Sequence, residues 1–215
     1  MDFNVITSSL KKGVDAFVSN VVAYIVGFLI MIIGSILIVT IAPLFYGMYY
    51  MILKGTRGEK VEIKDIFYGF KSVSMFIRSW IGIIVYVLAI FIVAFVILFI
   101  GGLVGAATGS ASITLLFSLI AMIAMLILEI FLYFTLYIYV MTPSENIVYA
   151  IKESAAIGKA NILTVLITII ISGILAFIGG LVFGILALVT GPIAMLFAAY
   201  VLKELKPELK DEAGL

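Results

Sequence analysis

The 215-residue chain has no cysteine and no histidine, and glutamine is missing altogether. Without cysteine there is no disulfide, no thiolate nucleophile and no thiolate-held metal; without histidine the commonest general base and metal ligand is gone. The sequence also lacks an HExxH motif, a phosphate-cradling Gly-Lys loop and any pair of acids at a spacing suited to joint acid/base work. Most familiar active sites are thereby excluded, and a non-enzymatic protein with no cofactor, no metal site and no catalytic residue is expected. Charge is scarce as well: 12% of residues, 13 basic against 12 acidic, for a net charge of +1. Such a balance offers no basic surface to nucleic acid, which is not expected as a partner. Asparagine occurs only at 4, 20, 146 and 161. A shortage of amides fits a heat-adapted source, and it equally fits a chain bathed in lipid. The stretch from Met1 to Asn20 does not follow the layout of a signal peptide, so the first apolar run is expected to stay in the mature protein.

What the chain has instead is hydrophobicity, 65% of its residues and a mean hydropathy of +1.36, against about 45–50% apolar in soluble domains. This is the composition of a multi-pass protein of the cell membrane. All charge except Glu129 falls in four segments: the N-terminus, 54–78, 142–161 and the C-terminus. Between them lie three apolar runs, Val21 to Leu53, Ile81 to Met141 and Ile162 to Leu202, of which the first is the shortest.

Three amphipathic surface helices are predicted, over 2–19, 63–78 and 143–160. In the first, Phe3, Ile6, Leu10, Val14 and Phe17 recur at helical spacing. In the second, Ile66, Phe70, Val73 and Ile77 make one stripe, and Lys64, Lys71 and Arg78 make another whose cations reach for headgroups. The third starts at Thr142-Pro143-Ser144-Glu145, with Thr as the cap, Pro in the first helical position and Glu closing a capping box. Each precedes a membrane hairpin, 21–53, 81–141 and 162–202, and a polar tail 203–215 follows. The second hairpin is expected to turn within Gly101 to Ser112, which carries no Lys or Arg.

The fold class read from this pattern is all-α, with six transmembrane or re-entrant helices as three hairpins. Lys54, Arg57, Lys60, Lys64, Lys71 and Arg78 crowd one connection, which the positive-inside rule assigns to the cytoplasm. If all four charged segments lie there, each apolar run crosses an even number of times and both termini are cytoplasmic. Internal similarity agrees: nine residues after Lys11, Lys71 and Lys152 come Asn20, Trp80 and Asn161, each just before an apolar run. The first hairpin strains this scheme, since a leg of about 16 residues makes roughly 24 Å of helix against a core of about 30 Å. It is either thin or re-entrant, or else one long helix kinked at Pro43, which would leave five spans.

The densest junction of apolar and charged residues runs from Ala42 to Lys71. Here Pro43 and Gly47, then Arg57-Gly58-Glu59, then Asp65-Ile66-Phe67-Tyr68-Gly69-Phe70-Lys71 resemble a prokaryotic six-span membrane family of unknown function, the YciC-like proteins. Ala150-Ile151-Lys152-Glu153-Ser154 and Gly158-Lys159-Ala160-Asn161 carry a second patch of likeness. The outline is also similar to the membrane domain attached to some glycerophosphoryl diester phosphodiesterases. The resemblance implies the six-span layout and supplies no activity.

Three groups of residues are candidates for function. Glu129, an acid within a span, costs about 2.5–3.5 kcal/mol to insert and must face protein or a wet cavity. It reads either as a proton or cation relay, in a channel or transporter, or as a packing detail hydrogen-bonded to Tyr133 or to a neighbouring Ser or Thr. The cations Lys54, Arg57, Lys60, Lys64, Lys71 and Arg78 read as headgroup contacts for membrane lipids or as ordinary topology signals. Gly101, Gly105 and Gly109, with Gly180 and Gly184, repeat at four-residue steps and permit close helix packing, within the chain or in a homo-oligomer. The leading function is to organise lipid or partner subunits at the cytoplasmic leaflet.

Overall fold

The structure, a computed structural model, describes residues 3–181 and 184–209. Residue 2 of the first predicted helix, 182–183 of the third hairpin and 210–215 of the tail lie outside the described residues. The elements are α1 (Phe3–Ser19), α2 (Val21–Gly34), α3 (Ile38–Thr56), a 3-10 helix (Ile63–Phe70), α4 (Val73–Thr108), α5 (Ala111–Leu132), α6 (Thr135–Met141), α7 (Ile147–Ala160), α8 (Ile162–Gly180) and α9 (Ala187–Leu205). Among the described residues there is no strand. The protein is an all-α, polytopic membrane protein: five helical stretches are long and apolar enough to cross a bilayer, or six if the pair α1 and α2, bent by 90°, is counted as one span.

The four charged segments meet on one face. Lys12 of α1 pairs with Glu204 of α9, and Lys206 just beyond α9 pairs with Glu153 of α7. The backbone N–H of Val61 donates to Asn20 at 3.0 Å, and Arg78 at the start of α4 donates to the Glu145 carbonyl at 2.6 Å. The bundle is tight beneath this face, where Tyr24, Met51, Ile66, Phe134, Ile138 and Leu196 are wholly buried. It opens toward the opposite face, and no residue in the most apolar stretch of α4 is fully buried.

Val21 to Leu53 is a hairpin, not a single kinked helix. The chain reverses at Ser35 to Leu37, where the Ser35 hydroxyl donates to the Met31 carbonyl at 2.6 Å and the Thr40 hydroxyl donates to Leu37 at 2.7 Å and also to Gly34. These bonds satisfy the turn internally, as hydrocarbon demands. Its tip is apolar and bare, with Ile36 79% and Ile38 73% exposed. The 14 residues of α2 make about 21 Å of helix, shorter than a bilayer core of about 30 Å.

Four expectations need correction. First, no surface helix spans 63–78: the 3-10 helix ends at Phe70, and Val73 to Arg78 open the 36-residue α4. The Ser72 hydroxyl accepts from the Met75 N–H at 3.1 Å and caps α4 there, and no Gly or Pro interrupts the chain before Gly82. Second, the turn of that hairpin is only Gly109-Ser110. Gly109 takes φ +63, and Ser110 N–H returns to the Gly105 carbonyl at 3.1 Å, so Gly101 to Thr108 stay helical. Third, Thr142 does not cap the third surface helix, because its hydroxyl donates back to Ile138 at 2.8 Å. Asn146 caps α7 instead, accepting from Tyr149 N–H at 3.0 Å. Fourth, the apolar stripes of α1 and α7 are partly turned onto protein. Ile6 and Phe17 of α1 are buried, and an added Cβ on Gly13 would stand 3.0 Å from the backbone N of Phe197 in α9. Ala150, Ser154 and Gly158 of α7 face the α5–α6 junction, where Phe134 N–H donates to Ser154 at 3.1 Å. The 3-10 helix and the start of α4 leave an apolar surface outward, with Phe67, Phe70, Val73 and Ile77 exposed.

Candidate functional site

The segment Ala42 to Lys71 folds back on itself in backbone contact. A Cβ on Gly47 of α3 would overlap the Ile66 carbonyl, and one on Gly69 would overlap the Pro43 carbonyl. Two glycines thus let the 3-10 helix lie directly on α3. Lys54 at the end of α3 then reaches Asp65 at 2.8 Å, both largely buried, and Asp65 also accepts from Glu62 N–H at 2.8 Å. Tyr68 stacks on Tyr50 at 3.7 Å and on Tyr46 at 6.2 Å between ring centres. Burial of this ring raises the Tyr68 phenol above its ordinary value.

The six candidate cations separate into distinct roles. Lys54 is consumed by Asp65, and Arg57 pairs with Glu59 beside the Tyr50 ring. Lys64 bonds Glu62 at 2.6 Å in full solvent; that hydrogen bond lowers the Glu62 carboxyl and raises the Lys64 ammonium. Lys71 lies 5.4 Å from the Tyr68 ring centre, and Lys60 stands exposed in a surface cleft. Arg78 is turned inward instead of toward headgroups. It donates to the carbonyls of Tyr139, Thr142 and Glu145 at 2.7, 2.8 and 2.6 Å and to the Tyr46 hydroxyl at 3.2 Å, with its guanidinium 3.7 Å above the Tyr139 ring. The reason is local: α6 ends at Met141, and its last carbonyls have no partner within the helix.

The internal repeat is visible at two corners. Asn20 between α1 and α2 has φ −134 and ψ 31, and Asn161 between α7 and α8 has φ −134 and ψ 38. Each side-chain amide donates to the carbonyl four residues back, Ala16 at 3.5 Å and Ile157 at 3.1 Å. Each backbone carbonyl accepts from the N–H four residues on, Tyr24 at 3.1 Å and Val165 at 3.0 Å. The α1–α2 corner bends the chain by 90°. At Trp80, the middle position of the repeat, α4 runs through unbroken. A cleft of about 440 Å³ opens at the Asn20 corner, with Lys60, Glu62 and Val22 in its wall. One of about 430 Å³ opens at the Asn161 corner, with Lys159, Thr164 and Leu163 in its wall. Charge pattern alone does not single out Lys159, which lies apart from the basic segment 54–78.

Glu129 faces protein from α5 but not toward Tyr133. Tyr86 of α4 places its hydroxyl 2.9 Å from both carboxylate oxygens, while the Tyr133 hydroxyl donates to Ser172 of α8 at 2.8 Å. Tyr49 of α3 meets Tyr137 of α6 edge to face at 4.7 Å. Tyr86 sits 43 residues from Glu129, and no short-range pattern links them. By its position two turns beyond Arg78 on α4, the pair lies about 12 Å below the charged face.

The glycine candidates divide. Gly101 and Gly105 are buried in the α4–α5 seam, where a Cβ would overlap Phe117 and Thr114. Gly109 is the turn residue. Gly180 has open space around it, and Gly184 is a positive-φ residue with open space, so neither supports packing as expected. The contact there is made by Gly179, whose Cβ would come within 2.9 Å of the Ala187 backbone. No family model matches the chain, and comparison with curated proteins and with solved structures gave no significant match.

Proposed function

We propose that the protein is a non-enzymatic membrane component that holds anionic lipid at the cytoplasmic leaflet through its two asparagine corners. The carrying observation is the pair of similar clefts, about 440 and 430 Å³, each with one exposed lysine, Lys60 or Lys159. Apolar side chains flank each lysine, Val22 at 64% and Leu163 at 58% exposure. A headgroup phosphate over the ammonium with an acyl chain along these residues satisfies both kinds of surface. The first turns of α2 and α8 begin there with no side-chain cap, so their N–H groups add to the attraction for an anion. The bare aromatic surface of Phe67 and Phe70, beside Lys64 and Lys71, embeds the same face in the leaflet.

A channel or transporter built on Glu129 has less support. From Glu129 outward the α4–α5 pair carries no charged residue, and most of its large apolar side chains are exposed.

Native mass spectrometry from nanodiscs, reading subunit number and retained lipid together, tests the proposal. In mixed phosphatidylglycerol and phosphatidylcholine the wild type retains anionic lipid, Lys60→Ala and Lys159→Ala each retain less, and the double variant retains none. Equal retention of the two lipids, or unchanged anionic lipid in the double variant, overturns it.

A further inference from the structure

Hydroxyl side chains recur at one-turn steps along α8 between the cleft at the Asn161 corner and the partner of Tyr133, one turn from Glu129. Thr164 is in the wall of that cleft. Thr168, one turn deeper on α8, is wholly buried, and its hydroxyl donates to the Thr164 carbonyl at 2.7 Å. Ser172, one turn deeper again, accepts the Tyr133 hydroxyl at 2.8 Å. Tyr133 follows Glu129 by four residues and keeps helical dihedrals, φ −52 and ψ −40, so the two occupy one face of the chain. Glu129 then holds Tyr86 at 2.9 Å. The steps from Thr164 to Thr168 to Ser172 are each about 6 Å, one helical turn, which is the reach of one bridging water. Every hydroxyl in the line keeps acceptor lone pairs.

The other side of Glu129 differs. Toward the far turn at Gly109-Ser110, the neighbouring turns of α4 and α5 present Val87, Leu88, Phe91, Leu126, Ile127 and Ile123, all exposed and apolar. The polar side chains nearest the carboxyl therefore lie on its charged-face side. Tyr86 from α4 faces it directly, while Tyr133, one turn on in its own chain segment, is turned to Ser172 and Tyr49 from α3 lies against Tyr137. At the α5–α6 junction α7 brings Ser154, which accepts from Phe134 N–H, and Gly158, which lies on the Ile130 backbone, and α8 contributes Ser172 to Tyr133. No lysine or arginine bonds Glu129 among the described residues.

We infer that Glu129 is a proton-binding site loaded from the charged face through the hydroxyls of Thr164, Thr168, Ser172 and Tyr133, with a closed far side. Uptake forms one O–H bond on the carboxylate, and the proton comes from water at the corner cleft. Release reverses that step by the same route, so the site exchanges protons with one compartment and does not conduct them across. Of the path residues only Thr164, at the cleft wall, is near a headgroup position, so the proton site and the lipid clefts stand or fall separately.

The test uses infrared spectroscopy of the full chain reconstituted in vesicles, with pH stepped on one side. Because the chain has no cysteine, a single label on Lys152→Cys, an exposed site, reports which side the charged face occupies. Glu129→Gln identifies the carboxyl band by its loss. A pH step at the charged face is expected to convert that band quickly, and a step at the far face is expected to leave it unchanged. Ser172→Ala and Thr168→Val are expected to remove the fast phase while retaining the final extent of conversion. Ser118→Ala, whose hydroxyl bonds only the Thr114 carbonyl at 2.9 Å, serves as the hydroxyl control and keeps the fast phase. Conversion by a far-face step, or an intact fast phase in both Ser172→Ala and Thr168→Val, overturns the inference.

Discussion

Tyr86 of α4 stands with its hydroxyl 2.9 Å from each carboxylate oxygen of Glu129 in α5. It joins the two helices at the point where their long hairpin leaves the rest of the bundle. A single hydroxyl donates one proton, so the two equal distances describe one donor shared between two acceptors. Interhelical hydrogen bonds in membranes average about 0.6 kcal/mol and reach about 1.7. Tyr86→Phe is expected to destabilise the protein within that range, measured by steric trapping in bicelles. Glu129→Gln keeps an acceptor for Tyr86 and loses less. In a Glu129→Leu background, Tyr86→Phe should add nothing; full additivity of the two losses would show that the bond contributes no stability.

Lys54 and Asp65 form the most enclosed ion pair on the charged face, with side-chain exposures of 17% and 9%. Removing one member of a buried pair costs about 3–5 kcal/mol, because the remaining charge keeps its desolvation penalty without its partner. Asp65→Asn and Lys54→Met are each expected to lie at the lower end of that range, since Lys54 retains some solvent. The double variant should recover much of the loss. Hydrogen exchange at the amides of 62–66 reads the same effect locally: Asp65→Asn also weakens the acceptor of Glu62 N–H, so protection there falls first. Unchanged protection would separate the pair from the docking of the 3-10 helix.

The sequence made the class of fold legible because hydropathy and charge report directly on where lipid ends. It also pointed to the Ala42 to Lys71 junction, whose Pro43, Gly47 and Gly69 prove to be the backbone contact between α3 and the 3-10 helix. What it did not reveal depends on which helices become neighbours. Arg78 carries the same charge and spacing as Lys64 and Lys71, yet only Arg78 stands beside the open carbonyls at the end of α6. Tyr133 is near Glu129 in sequence, yet Tyr86, from another helix, holds the carboxyl. The repeat marked Asn20, Trp80 and Asn161 alike, but Asn20 and Asn161 donate their side-chain amides to the carbonyls four residues back where the helix breaks, while the second copy, with Trp80 there, runs straight.

The glycines offer a graded test of packing. At Gly47 an added methyl overlaps the Ile66 carbonyl, a backbone atom that cannot swing aside. Overpacking of this kind costs about 1–3 kcal/mol, and Gly47→Ala is expected to reach that range and to loosen the 3-10 helix. Gly102 and Gly173 lie within helices with open space around the added atom. There Gly→Ala should stabilise by about 0.5–1 kcal/mol through helix propensity alone. Thermal unfolding in one detergent compares all three, and a stabilising Gly47→Ala would mean that the 3-10 helix does not lie on α3.

Arg78 satisfies three carbonyls and one hydroxyl with a single planar group, and two of those carbonyls, Tyr139 and Thr142, belong to the end of α6. Lysine keeps the charge but supplies one ammonium on a flexible stem, and it cannot reproduce a fork that spans Tyr46, Tyr139, Thr142 and Glu145. The stacking on Tyr139 at 3.7 Å is lost with the guanidinium. Arg78→Lys is therefore expected to resemble Arg78→Ala more than wild type, with a loss of about 1.5–3 kcal/mol for charge-assisted bonds. A headgroup-binding residue would behave in the opposite way, since lysine serves a phosphate as a point charge. Limited proteolysis of the connection 142–146 distinguishes the two roles. If Arg78 anchors that connection, both variants are cut faster than wild type in zwitterionic and anionic lipid alike; protection restored by Arg78→Lys in anionic lipid alone would assign Arg78 to the membrane surface.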